Sequence, residues 1–220
     1  MPLTLAVDPH PLLELGAFAI RTVAPCGELA TPPTIAALAE PGAAAPLAVT
    51  EAVKTAVRDL LRHGGYKPSG RSKPAAEYLT GALAKGEFPR INALVDACNV
   101  VSLHSGLPIS LVDLDRLAGG DAAALRVRIA PAGTSYVFNP SGQTIDASGL
   151  VCLYDADGPT GTPVKDAQRT KTHAGTLRTL AVVWGCHALA GRAAQTTRWY
   201  RALVGAIAGA TTDDVALAPG

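Results

Sequence analysis

The chain has 220 residues, 48% hydrophobic but only 5% aromatic, which is enough to bury a core built mainly from Ala, Val and Leu. Nineteen Lys and Arg stand against 18 Asp and Glu, a net charge of +1 that argues against bulk electrostatic binding of nucleic acid and gives no reason to expect a DNA partner. The N-terminus lacks the basic-then-apolar pattern of a signal peptide, and no run approaches the ~18 apolar residues of a membrane span, so the sequence reads as cytoplasmic with no membrane partner.

Residues 1–53 carry one base and five acids. Within them "LTLAV" (Leu3–Val7) and "GAFAIRTVA" (Gly16–Ala24) have strand composition. The proline-rich stretch 31–50 reads as a loop with one helical turn. A helix then begins after Thr50, whose side chain can cap it, and ends at Gly64 or Gly65. Its apolar stripe is Val53, Val57, Leu60 and Leu61; Lys54, Arg58 and Arg62 form a basic stripe at i, i+4 and i+8.

Residues 54–90 hold eight bases and three acids. The loop "GGYKPSGRSKP" within them is basic and rich in glycine. Ser72 is expected to cap the next helix, with Pro74 in its first turn. A third helix is predicted over Ile91–Ser105, stopped by Gly106 and Pro108. After it the period shortens. Strands are expected at Leu125–Ala130, Thr134–Asn139 and Leu150–Asp155, then a long polar loop to about Thr176. A strand at Leu177–Gly185 and an amphipathic helix from Ala190 to Gly209 complete the pattern. Strands, helices, strands and a last helix predict one α+β domain over 1–220 with a mainly antiparallel sheet.

No cofactor motif is present. The five histidines show no HxxxH spacing, the four cysteines no CxxC, and no metal site is expected. Cys98 is predicted on a helix rather than on a sharp turn, and no GxSxG elbow occurs. The glycine loop lacks GxxxxGK[ST] spacing, so it is not an NTPase loop. Two readings of it stay open. It is a solvated loop, or its backbone N–H groups with Lys67, Arg71 and Lys73 hold a phosphate. Asp96 and Asn99, three apart on the third helix, either fasten a neighbouring loop or face a ligand.

"RINALVDACNVVSLHSGLPISLVDLDRL" (Arg90–Leu117) resembles a segment of the tRNA-binding and editing module, domains B-three and B-four, of the phenylalanyl-tRNA synthetase beta chain. The matching positions are Val95, Asp96, Asn99, Gly106, Pro108, Asp113, Leu114 and Asp115. "GRSKP" (Gly70–Pro74) and "FPRIN" (Phe88–Asn92) resemble free-standing proteins made of this module alone. The resemblance spans about 66–184 and is most specific over Arg90–Leu117. It implies the module's α+β fold, tRNA or aminoacyl-tRNA as partner, and hydrolysis of mischarged aminoacyl-tRNA in trans, without synthetase activity. An amino-acid-like small molecule bound without tRNA is the alternative. The module's editing histidine and glutamate have no counterparts here, so no catalytic residue is carried over. The expected substrate or tRNA contacts are Lys67, Arg71, Lys73, Arg90, Asn92, Thr170, Thr172 and His173. Asp96, Asn99, Gly106, Pro108, Asp113 and Asp115 are expected to build the scaffold around the pocket.

Overall fold

The computed structural model describes residues 3–120 and 123–220. In chain order its elements are β1 (Thr4–Val7), β2 (Leu13–Thr22), α1 (Pro33–Ala37), α2 (Glu51–Arg62), α3 (Ala75–Ala84), α4 (Ala93–Ser105), β3 (Ile109–Asp113), β4 (Leu125–Ile129), β5 (Ser135–Val137), β6 (Thr144–Asp146), β7 (Val151–Asp155), β8 (Gly158–Gly161), β9 (Arg178–Cys186), α5 (Arg192–Gly205), β10 (Ala210–Asp214) and β11 (Ala216–Pro219). One sheet runs β10-β2-β9-β3, antiparallel throughout. A second runs β11-β1-β4-β7-β8, where β1 is parallel to both neighbours and the other pairs are antiparallel. The fold is α+β and mainly antiparallel, as the pattern of periods predicts.

The strongest apolar run becomes the best-buried strand. From Thr179 to Cys186 every residue of β9 is buried, and the strand is bonded along its length by β2 and β3. Trp184 lies at 0% exposure within it. α4 is buried just as thoroughly and packs against α3, α5, α1 and β3. Each large apolar side chain it buries contributes about 1.5–3 kcal/mol, so α4 is held by its surroundings more than by helix propensity.

Both ends of α4 are written in the sequence. The Asn92 side chain accepts from the Val95 N–H at 3.1 Å and so caps the start. Gly106 ends it at φ 70°, and its N–H donates to the Ser102 carbonyl at 3.0 Å. A Cβ there would come within 2.7 Å of Val53 Cγ1. Conformation and space both demand glycine.

Several expectations need correction. α4 begins at Ala93, because Asn92 supplies the cap from outside the helix. Ser72 caps nothing; it belongs to a 3-10 turn at Gly70–Ser72, and α3 starts after Pro74 with no side-chain cap. The long loop after residue 155 is not wholly irregular, since Gly158–Gly161 pairs back on β7 as β8. The strands β3, β10 and β11 were not anticipated.

Candidate functional site

A cleft of about 720 Å³ opens between α3, one side of α4 and the segment 162–172. Its apolar lining comes from Leu79, Val95, Ile109, Leu111, Phe138 and Val164. Five cations line it (Arg71, Lys73, Lys85, Lys165 and Lys171) against three carboxylates. One of the three, Glu77, is already held by Arg58 through two bonds of 2.7 Å. That pairing holds the Glu77 carboxyl below its usual range. The cleft therefore carries surplus positive charge. Across α3 lies a second cavity of about 510 Å³, and Glu77 and Gly81 line both.

The wall at 162–172 concentrates the unusual titrating groups. Lys171 is half-buried and donates from Nζ to the Phe138 carbonyl at 2.5 Å. Burial lowers its pKa, only partly opposed by Asp166. Lys165 sits over the Phe138 ring, 3.7 Å from its centroid. Its pKa is lowered by burial, then by the nearby charges of Arg71 and Lys171. Burial raises the Asp166 carboxyl. One of its oxygens accepts from the Leu111 N–H at 3.1 Å; the other, Oδ1, is buried with no hydrogen-bond partner. The Ser110 hydroxyl draws that pKa partly back, but donates its proton to the Thr162 carbonyl at 3.2 Å. Like charges crowded beside a desolvated acid make this wall the candidate site. Cys98 also lines the cleft, but burial pushes its thiol to about 12, so it is no nucleophile.

A model of the B3/4 domain family matches residues 68–197, well over half of the chain. The chain belongs to the B3/4 domain family. This is the family of the B3/B4 module of the phenylalanyl-tRNA synthetase beta subunit. No similar protein was found among curated proteins. Every residue named as lining the 720 Å³ cleft lies inside the matched B3/4 segment. No helix among the described residues is long and apolar enough to cross a membrane.

The cleft of this B3/4 domain gathers only part of the anticipated set. Arg71, Lys73, Asn99 and Thr172 line it. Lys67 is exposed on the preceding loop, outside the lining. Arg90 points elsewhere, donating to the Ala36 carbonyl and pairing with Glu40 at 3.0 Å, which ties α1 down. Asn92 is occupied as the α4 cap. Thr170 is fully buried, its hydroxyl donating to the Thr160 carbonyl at 3.0 Å. His173 is exposed behind the wall, with Nε2 3.4 Å from Asp113.

The expected scaffold positions fasten the surroundings. Asp96 accepts from the Thr31 hydroxyl and the Ile91 N–H, both at 2.8 Å, pinning the proline-rich loop onto α4. Asp113 accepts from the Asp115 N–H at 2.9 Å and the Thr176 hydroxyl at 2.6 Å. Asp115 pairs with Arg178. The Pro108 carbonyl accepts from the Trp184 N–H at 3.0 Å. Asp96 and Asn99 thus part company: one closes a loop, the other faces the cleft. Sequence reasoning missed Lys165, Asp166, Lys171 and Phe138. A lysine–aspartate pair in a loop of small polar residues was the available signal, but no local period points those side chains inward.

Proposed function

We propose that the cleft receives the aminoacylated 3′ end of a tRNA, and that the chain hydrolyses the ester of a mischarged amino acid in trans. The observation that carries this reading is the surplus of cations around an apolar-lined cleft within the B3/4 segment. Arg71, Lys73 and Lys85 suit backbone phosphates near the mouth. The lining of Leu79, Val95, Ile109 and Leu111 suits an amino-acid side chain. Water adds to the ester carbonyl, and negative charge gathers on its oxygen. Lys171 and Lys165, desolvated and close, are the groups suited to stabilise that oxyanion before the ribose oxygen leaves with a proton. Four buried free thiols fit a reducing compartment such as the cytoplasm.

The test is deacylation of a panel of mischarged tRNAs by the purified protein. Arg71→Ala should slow it about tenfold, as loss of one phosphate contact implies. No deacylation of any tested aminoacyl-tRNA, and no tRNA binding at low salt, would overturn the reading. A second reading is favoured by the overall charge of +1: a free amino-acid-like molecule is bound without tRNA. Thermal stabilisation by a free amino acid, with none by tRNA, would establish it instead.

A further inference from the structure

Folding does not explain two residues on the cleft side of α3. The helix buries Ala76, Leu79 and Ala82. Tyr78 is turned away from that face and is 65% exposed. Among the described residues its side chain has no hydrogen bond, ring contact or cation above it. One turn on, Gly81 occupies the middle of the helix, where glycine is weaker than alanine. Its backbone is not left-handed, and a Cβ built there would meet nothing within 4 Å. Neither conformation nor packing asks for glycine. The result is a bare ring beside a bare stretch of helix, both on the cleft wall.

The surroundings indicate what would lie there. Phe138, the other aromatic of the cleft, is already covered by the Lys165 ammonium. Arg71, Lys73 and Lys85 line the same cleft as Tyr78, and none has an ion-pair partner among the described residues. A free ring with unpaired cations around it suits an unpaired nucleotide, whose base stacks while its phosphates meet the cations. We propose that Tyr78 is the stacking platform for an unpaired nucleobase of the bound RNA, and that Gly81 is kept bare so that the nucleotide lies directly against α3. This rests on the tRNA reading above and adds a base subsite to it.

The experiment uses the full chain and a fluorescently labelled RNA hairpin with an uncharged, single-stranded 3′ tail. A second probe keeps the tail phosphates but lacks its bases. Tyr78→Ala should weaken binding of the intact tail about 5- to 100-fold, in the range of one lost base stack. Tyr78→Phe should bind within about twofold of the parent, since it keeps the ring. The salt dependence should not change, because no phosphate contact is lost. The base-less tail should bind the parent weakly, and Tyr78→Ala should make no further difference. Gly81→Leu should raise Tm by about 2–4 °C and yet weaken binding of the intact tail about tenfold or more. Unchanged binding by Tyr78→Ala, equal losses on both probes, or full affinity in Gly81→Leu would each overturn the platform while leaving the aminoacyl-tRNA reading intact. If the parent binds neither this RNA nor any aminoacyl-tRNA, the underlying reading fails and the platform goes with it.

Discussion

Asp155 and Asp166 lie eleven residues apart, on either side of β8, and their surroundings treat the same side chain in opposite ways. The Asp155 side chain is fully buried and saturated. Arg169 grips both its oxygens, at 2.8 and 2.5 Å, and the N–H groups of Ala118 and Asp157 donate to it at 2.9 and 3.0 Å. Burial alone would raise its pKa, but these partners outweigh burial and hold it below the usual carboxylate value. Asp166 has one backbone donor, a bare buried oxygen and a raised pKa. Burial does not decide a carboxylate's role; the number of committed donors does. The saturated one closes the hairpin onto the following turn. The undersupplied one borders the cleft beside Lys171, whose lowered pKa it partly opposes.

The sharpest way to break this contrast is Asp155→Ala. It strands Arg169 and two backbone donors, so it should cost about 3 kcal/mol. Thermal unfolding should show Tm lower by roughly 6–12 °C, with RNA affinity unchanged in the fraction that folds. A loss of affinity without loss of stability would erase the distinction between the two regions.

Lys171→Met should do the reverse. It keeps the apolar stem and removes a charge that burial already disfavours. Affinity for tRNA at low salt should fall about tenfold, while Tm stays level or rises by a degree or two. A large drop in Tm would make Lys171 a structural anchor through its bond to the Phe138 carbonyl.

The smallest effect sharpens the comparison through pH. The raised Asp166 pKa means that the folded protein binds this proton more tightly than the unfolded chain does. Its cost is therefore absent in acid and grows as pH climbs from about 4 through the folded value. Asp166→Asn should stabilise the protein by about 1 kcal/mol at pH 8 and flatten that part of the stability profile. Asp155 behaves oppositely: its contribution is present above about pH 4 and fades as pH falls through its depressed pKa. Denaturant titrations from pH 3 to 8 on the two variants should change opposite limbs of the curve.

The contrast also marks what the sequence can show. α2, α4 and β9 were legible because each combines a long apolar period with chemical punctuation: Thr50 as a cap for α2, Gly106 as a stop for α4, an unbroken buried run in β9. β10 (ATTDD) and β11 (ALAP) are largely exposed strands whose composition has no strand signal. They exist because β2 and β1 offer them open edges. β8 (GPTG) is similarly imposed by its partner β7.

The candidate site was half legible for the same reason. Arg71 and Lys73 declared themselves in a basic glycine loop, and Thr172 in a polar one. Arg90 and Asn92 looked equivalent by type and proximity, yet one anchors α1 and the other caps α4. A polar residue near a helix start has several uses, and only the packed structure selects among them. Lys165 and Asp166 come from a segment with no period, so their inward aim follows from how β8 and the turn at Gln168–Thr170 seat that segment against β3.

The bond network behind β9 has an experimental use. Trp184 Nε1 donates to the Ser110 hydroxyl at 2.9 Å, and that hydroxyl donates to the Thr162 carbonyl at the foot of the cleft wall. The indole is sealed from solvent, so its emission should be blue-shifted. It is also two hydrogen bonds from the segment that a ligand would press. With Trp199, the second tryptophan, replaced by Phe, Trp184 becomes an optical reporter of the cleft, readable without any label.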